Sequence, residues 1–138
     1  MHQASHRIAI ETHGVGFTEM TGAVGTWVSA QRIATGLLTL FCRHTSASLL
    51  IQENADPDVR RDLIAYFERI APESGDYVHD AEGPDDMPAH IRTALTAVSL
   101  SVPIAGSRMV LGTWQGIYLF EHRRTPHRRE IALHLIGE

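Results

Sequence analysis

Hydrophobic and polar residues alternate in the first stretch of the chain, where Ile8 and Ile10 lie on one face. This period of two predicts an amphipathic strand over residues 6–12. An apolar run bounded by a turn predicts a well-buried strand over 37–43, and residues 48–52 are predicted to continue as a second strand. The last third of the chain is also predicted to be β, with segments at 100–104, at 109–123 (one long strand, or two joined by a bulge near Gly112) and at 130–136.

Capping residues give the clearest helical signal in the chain. Asp56 can accept hydrogen bonds from the free N–H groups of a first turn, and Pro57 fits the first helical position. Asp58 complements the positive end of the helix dipole. These residues predict a core-facing helix, whose apolar side chains recur at helical spacing: Val59, Leu63, Phe67 and Ile70.

A second core-facing helix is predicted to start at Asp86 and to bury Ile91, Leu95 and Val98. A weaker helical pattern covers residues 18–30, where two internal glycines each cost about 1 kcal/mol relative to alanine. Strands at both ends of the chain with helices between them indicate an α+β fold. Because no repeat or linker interrupts the pattern, residues 1–138 are predicted to form a single domain.

The composition excludes several classes of function. A net charge of -4 gives no bulk attraction for nucleic acid. All 12 basic residues are arginines, so catalysis by a Schiff-base lysine and a P-loop lysine are both excluded. The chain has neither a signal-peptide pattern nor an apolar run long enough for a membrane span. Cys42 is the only cysteine and cannot form an intrachain disulfide, so a cytoplasmic location is the default expectation.

Position separates the candidate histidines from the rest. His44 ends a predicted buried strand and is followed by the hydroxyl residues Thr45, Ser46 and Ser48. A neutral imidazole can bind a metal or transfer a proton near neutral pH, and small hydroxyl residues let a phosphate approach. The competing interpretation is a histidine that only hydrogen-bonds at a strand end.

A second candidate locus lies between His79 and His90. These two histidines flank a turn that carries four carboxylates, at positions 80, 82, 85 and 86. Imidazole nitrogens suit zinc, and carboxylate oxygens suit magnesium or manganese. The spacing matches no standard zinc motif, so an acidic solvated loop with Asp86 as a helix cap is an equally simple interpretation.

Glu121 lies among apolar residues of a predicted strand, where it could act as a base or a metal ligand. The competing interpretation is an ion pair between Glu121 and an arginine on a neighbouring strand. Cys42 and His44 share a strand face but lie about 6–7 Å apart along it, which is too far for a nucleophile–base hydrogen bond. A buried structural cysteine is therefore expected.

Four sequence blocks, in order, resemble the signature of the YjbQ family. They are residues 44–48 (HTSAS), 52–59 (QENADPDV), 85–90 (DDMPAH) and 111–117 (LGTWQGI). The resemblance extends from about Phe17 to the last residues of the chain. It implies about seven strands in two sheets, forming a β-sandwich with two to three helices. It also implies a homotrimer, which the sequence pattern itself does not show.

The resemblance further implies a secondary thiamine-phosphate synthase, which joins hydroxymethylpyrimidine diphosphate to a thiazole phosphate and releases pyrophosphate. Such chemistry calls for a divalent metal (zinc, magnesium or manganese) and a phosphorylated small-molecule ligand. The matching positions give three sets of expected site residues: the metal ligands His44, His79 and His90; the catalytic carboxylates Glu53, Asp85 and Glu121; and the substrate-binding residues Thr45, Ser46, Trp114, Gln115 and Arg123. The alternative is a non-catalytic homotrimer that binds a metal or a small anionic metabolite.

Overall fold

Two antiparallel sheets and three helices make up the fold in a computed structural model that describes all 138 residues. The elements in chain order are β1 (His2–Thr12), β2 (Gly16–Glu19), α1 (Thr21–Ala30), β3 (Thr35–Cys42), β4 (Ala47–Glu53), α2 (Pro57–Ile70), α3 (Asp86–Leu95), β5 (Ser99–Ala105), β6 (Arg108–Met109), β7 (Gln115–Glu121) and β8 (His127–Gly137). The expected α+β class with two sheets is confirmed, with eight strands rather than about seven. None of the helices has the length and apolar content that a membrane crossing would require.

The larger sheet has the strand order β1-β8-β3-β5-β6, and the smaller sheet has the order β2-β7-β4. Alternate side chains of both sheets point inward and form one apolar core, joined by Val24 and Val28 of α1. Burial of this face explains why the period-two pattern of these strands could be read from the sequence. The fully buried strand residues include Leu38, Leu40, Leu49, Leu119, Ile131, Leu133 and Leu135.

Helix α2 packs on the outer face of the smaller sheet and not in the central core. Asp56 caps it as predicted, since its carboxylate accepts a hydrogen bond of 2.9 Å from the Asp58 N–H. Phe67 contacts Phe120 of β7 edge to face, with ring centroids 5.5 Å apart. However, no residue of α2 is fully buried, and Ile70 is exposed. The apolar face of α2, which was predicted to face the core, is therefore only partly buried.

The residues that helix α3 buries differ more strongly from the prediction. Its buried side chains include Asp86, Arg92 and Thr93, whereas Leu95, which was predicted to face the core, is 59% exposed. The prediction was wrong because this helix is held by polar contacts: the Arg92 guanidinium donates to the Ala71 carbonyl, and Asp86 pairs with an arginine beyond β7.

The long strand predicted over 109–123 is divided between the two sheets. β6 pairs with β5 in the larger sheet, and β7 lies between β2 and β4 in the smaller one. The link contains a turn rather than a bulge, because the Gln115 N–H donates to the Gly112 carbonyl at 3.1 Å, and the Gly112 N–H donates to the Gln115 side chain. The pattern of apolar residues was right, but it could not show that the chain changes sheet.

Candidate functional site

A histidine–aspartate–histidine group lies at the start of α3. His79 comes from the preceding loop, and Asp86 and His90 lie one turn apart on the helix, a spacing that places both side chains on one face. The Asp86 Oδ2 atom is 2.6 Å from His79 Nε2 and 3.0 Å from His90 Nε2. One ligand atom from each of the three residues lies within 4.8 Å of the other two. Asp86 is buried, while His79 remains accessible from solvent.

The hydrogen bonds of His90 define what its free nitrogen can do. Its Nδ1 lies 2.8 Å from the Thr45 carbonyl oxygen, which can only accept, so Nδ1 carries a proton and donates it. In the neutral ring, Nε2 therefore presents a lone pair to the Asp86 carboxylate. Two acceptors face each other across 3.0 Å, and a cation between them, a proton or a metal ion, removes the repulsion.

This arrangement fits a divalent metal. Histidines that bind metals almost always donate their other ring N–H to a carbonyl or carboxylate, as His90 does to Thr45. Two imidazole nitrogens with one carboxylate oxygen form a three-residue donor set of the kind found in open zinc sites. His79, Asp86 and His90 could supply these three ligands from this chain.

Arg123 fixes the carboxylates of this region. Its guanidinium donates to Asp86 Oδ1 at 2.7 Å, to Asp85 Oδ2 at 2.9 Å and to the Glu82 carbonyl at 3.0 Å. Burial opposes ionisation of Asp85, but hydrogen bonds from Arg123 and from the Arg124 N–H outweigh it and lower the Asp85 pKa. Arg123, expected to bind substrate, and Asp85, expected to be catalytic, are therefore paired with each other.

The protonation of His79 depends on Asp86. The hydrogen bond to Asp86 raises the pKa of His79 above its ordinary value of about 6.5. In the metal-free protein, the resulting ion pair is fully present below that pH and is lost as the pH rises through the raised pKa.

Metal binding is expected to show the opposite pH dependence, because it requires unprotonated His79. The rise in melting temperature on adding zinc should be small near pH 6 and should grow as the pH passes the raised His79 pKa. Differential scanning fluorimetry with and without zinc over this range measures the effect. His79→Ala should flatten the profile, and a zinc-induced shift that is equally large at every pH would contradict the expectation.

The structure does not bring His44 into the group of His79, Asp86 and His90. Its Nε2 accepts a 2.8 Å hydrogen bond from the Glu130 N–H of β8. Burial, followed by the charge of Arg129, lowers the His44 pKa, so the ring is neutral. Of the three metal ligands expected from the resemblance, the structure brings His79 and His90 together. The third member of the group is Asp86 and not His44. The signal for Asp86 was present in the sequence as its four-residue spacing from His90.

A cavity of about 740 Å³ opens beside the His79–Asp86–His90 group. Its lining includes the polar residues His44, Thr45 and His90 and the apolar residues Phe41, Ala94 and Val98. This volume is within the range of small-molecule sites, which are mostly apolar with a few polar groups. The hydroxyl residue Thr45, expected to contact substrate, thus lies beside His90.

A buried ion pair accounts for Glu121. The Arg129 guanidinium donates to both Glu121 oxygens, at 2.5 and 2.6 Å, and the two residues are only 4% and 1% exposed, respectively. Thr12 adds a third hydrogen bond to the carboxylate, and Arg129 also donates to the Ser46 hydroxyl at 3.0 Å. The ion-pair interpretation of Glu121 is confirmed, and Ser46 supports that pair.

Three other expected site residues lie elsewhere. Glu53 pairs with Gln115 at one end of β4 and β7, whereas Glu121 is at the other end, six residues or roughly 20 Å away. Glu53 accepts hydrogen bonds from the N–H groups of the turn before α2, and Gln115 accepts one from Gly112. Trp114 is 63% exposed. Within one chain, these residues do not meet the histidines.

Two buried groups, Cys42 and His122, stay uncharged at ordinary pH. Burial raises the pKa of the Cys42 thiol to about 11, consistent with the structural role predicted for it. Burial, with the charge of Arg92 second, lowers the pKa of His122 to about 3, and its Nε2 is 2.8 Å from the Ser48 hydroxyl. Both side chains belong to the packing between elements and not to the group of His79, Asp86 and His90.

Comparison with known proteins extends over nearly the whole chain. The family model described as UPF0047 protein YjbQ-like matches residues 6–138. A UPF0047 protein of Synechocystis is 51% identical over 132 residues, which cover 95% of this chain and 90% of that protein. The UPF0047 protein YjbQ of Salmonella typhimurium is 49% identical over 106 residues, covering 77% of each chain. The crystal structure of an uncharacterized YjbQ/UPF0047 protein from Clostridium acetobutylicum gives a TM-score of 0.89 at 35% identity, covering 95% and 99% of the two chains.

Proposed function

This chain belongs to the YjbQ-like UPF0047 family, and we propose that it binds a divalent metal at His79, Asp86 and His90 and acts on a phosphorylated small molecule in the adjoining cavity. One observation carries the proposal: the Nε2 atoms of His79 and His90 both lie within hydrogen-bond distance of one Asp86 carboxylate oxygen, while the other ring nitrogen of His90 donates to Thr45. A metal bound there would attract and polarise a phosphate oxygen.

The protein's own residues would prepare this site before any ligand arrives. The Thr45 carbonyl orients His90, and Arg123 holds the Asp86 side chain through the oxygen that faces away from the histidines. The neighbouring cavity is lined partly by apolar residues, which would exclude water from a bound organic group. Because these groups are held by hydrogen bonds within the chain, little reorganisation would accompany metal binding.

Elemental analysis of the protein purified without added metal tests the proposal directly. We expect near-stoichiometric zinc, manganese or another divalent ion in the natural protein and its loss in His90→Ala. His13→Ala is a matched control, because His13 is exposed and makes no side-chain hydrogen bond. Equal metal content in all three proteins, or metal in none of them even after incubation with excess zinc, would overturn the proposal.

The reaction implied by the family resemblance is the finer form of this proposal. It joins hydroxymethylpyrimidine diphosphate to a thiazole phosphate, with release of pyrophosphate, and both substrates carry the oxyanions that a metal would bind. The assay supplies both substrates to metal-loaded protein and measures thiamine phosphate and pyrophosphate. Product formation above the His90→Ala background supports this reaction, and its absence at saturating substrate contradicts it.

Non-catalytic binding of a metal and a small anion is the second candidate, and one observation favours it. Two of the carboxylates expected to be catalytic, Asp85 and Glu121, are both paired with arginines. A carboxylate held in this way is a weak base. A binding protein should bind both phosphorylated compounds without turning them over, so equilibrium dialysis in parallel with the product assay separates the two candidates.

A homotrimer is part of the same proposal. Leu37 and Ile136 are cross-strand neighbours on the outer face of the larger sheet and are 44% and 38% exposed, with Phe41 further along β3. An apolar strip of this kind on a sheet face supports association of copies.

Leu37→Glu is therefore expected to shift the protein from trimer towards monomer in sedimentation velocity, because it places a charge in the proposed interface. Val78→Glu is the control, since Val78 is fully exposed in a loop. A natural protein that sediments as a monomer, or a Leu37→Glu trimer as stable as the natural one, would contradict this expectation.

A further inference from the structure

His44 and His90 line the same cavity, but their hydrogen bonds give the two rings opposite chemistry. His90 donates from Nδ1 to a carbonyl oxygen, and its Nε2 faces the Asp86 carboxylate. His44 does the reverse, because its Nε2 accepts the Glu130 N–H at 2.8 Å. A backbone N–H can only donate, so the lone pair of His44 Nε2 is already used.

The proton of His44 must therefore be on Nδ1. This nitrogen makes no hydrogen bond within the chain, and it is not among the buried polar atoms that lack a partner. It is an accessible N–H group on a ring that lines the cavity. The low pKa of the ring, caused first by burial and then by Arg129, keeps it neutral.

The same geometry argues against His44 as a metal ligand. A neutral imidazole that bound a metal through Nδ1 would carry its proton on Nε2. That proton would point at the Glu130 N–H, and two donors would face each other across 2.8 Å. The backbone of β8 therefore holds His44 in the donor tautomer.

Resting on the function proposed above, we propose that His44 positions the ligand: its Nδ1–H donates to an oxyanion of an organic molecule whose apolar part lies against Phe41, Ala94 and Val98. The nearby guanidinium of Arg43 is paired with the Glu130 carboxylate at 2.6 Å, so its charge is already balanced. Of the two histidines that line the cavity, His44 is thus the one whose ring N–H has no partner within the chain. The ligand class is a small phosphate ester or carboxylate with an apolar body.

The tautomer can be measured without any ligand. Long-range nitrogen–proton NMR correlation spectra of labelled, metal-free protein distinguish a protonated ring nitrogen from an unprotonated one. We expect His44 to be protonated at Nδ1 and unprotonated at Nε2, and to keep this pattern when zinc is added. An Nε2–H tautomer, or a direct metal-induced shift of the His44 nitrogens like that of His90, would overturn the proposal.

Ligand binding supplies the second test, with phenyl phosphate and benzoate as probes for the two oxyanions. Titration of zinc-loaded protein by calorimetry should show weaker binding of the preferred probe to His44→Ala, by about 10-fold, as expected for one lost hydrogen bond to a charged group. His44→Asn keeps an N–H near the position of Nδ1 and should recover most of this loss.

Zinc content separates this proposal from the function on which it rests. His44→Ala should retain the zinc that His90→Ala loses. Loss of zinc from His44→Ala would make His44 a ligand and overturn the positioning role while leaving the metal site intact. Equal probe binding by natural protein and His44→Ala, or binding of neither probe to the natural protein, would also overturn it. Absence of zinc from the natural protein would instead contradict the proposed function, and the tautomer measurement would still decide the role of His44.

Discussion

Replacing Asp86 by asparagine is expected to weaken zinc binding by at least about 100-fold, since changes even to groups that only support a metal ligand cost 10–100-fold. Asp86 Oδ2 lies within hydrogen-bond distance of both His79 and His90, so it is the atom that both imidazoles contact. Asparagine has nearly the same shape but no negative charge, and its amide would place a neutral group between two imidazoles. Competition with a zinc-binding dye measures the change.

Asp85→Asn is the matched control for Asp86→Asn. Both aspartates accept hydrogen bonds from Arg123, but only Asp86 contacts the histidines. Asp85→Asn should therefore weaken zinc binding much less than Asp86→Asn, although it loosens the same arginine. Equal losses in the two variants would mean that the charge near Arg123, and not a ligand at position 86, determines affinity.

Replacing Glu121 by alanine is expected to lower the free energy of unfolding by about 3–5 kcal/mol. The Arg129 guanidinium would lose both carboxylate hydrogen bonds and would remain buried with an uncompensated charge. Thr12 would lose a partner as well. Urea unfolding followed by fluorescence of the two tryptophans measures the loss.

The double variant Glu121→Leu with Arg129→Met distinguishes the cost of an unpaired charge from the value of the pair. Replacing both charges by apolar groups of similar size should be less destabilising than Glu121→Ala alone, because no buried charge remains. If the double variant is as unstable as the single one, the pair stabilises the fold through its hydrogen bonds to Thr12 and Ser46 more than is expected here.

Much of the fold could be predicted because its signals are local. The alternating strands and the Asp56 cap of α2 depend on residues close together in sequence, and both are found where the pattern indicated them. The division of 109–123 between two sheets could not be predicted, because the partners of β6 and β7 are distant strands. Similarly, α3 buries Arg92 through a contact with Ala71, which no helical period reveals.

The candidate site was predicted in part for the same reason. His79 and His90 stood out because they flank a short acidic turn, and the structure brings them together. His44 was grouped with them by resemblance, but the tautomer of its ring depends on the Glu130 N–H of β8, which is 86 residues away in sequence. Glu121 could be assigned to an ion pair only as one of two interpretations, since its partner Arg129 lies across a turn of unknown geometry.

The position of β8 also constrains how the chain can fold. β8 is the last strand in chain order, yet it lies inside the larger sheet, where it joins β1 to β3. Until β8 docks, β1 has no neighbour in this sheet, and one edge of β3 is open. Such sequence-distant pairing slows folding, and open strand edges invite association between unfinished chains. The larger sheet therefore cannot be completed until β8 is in place. A nascent chain that lacks β8 would expose strand edges that lead to misassembly.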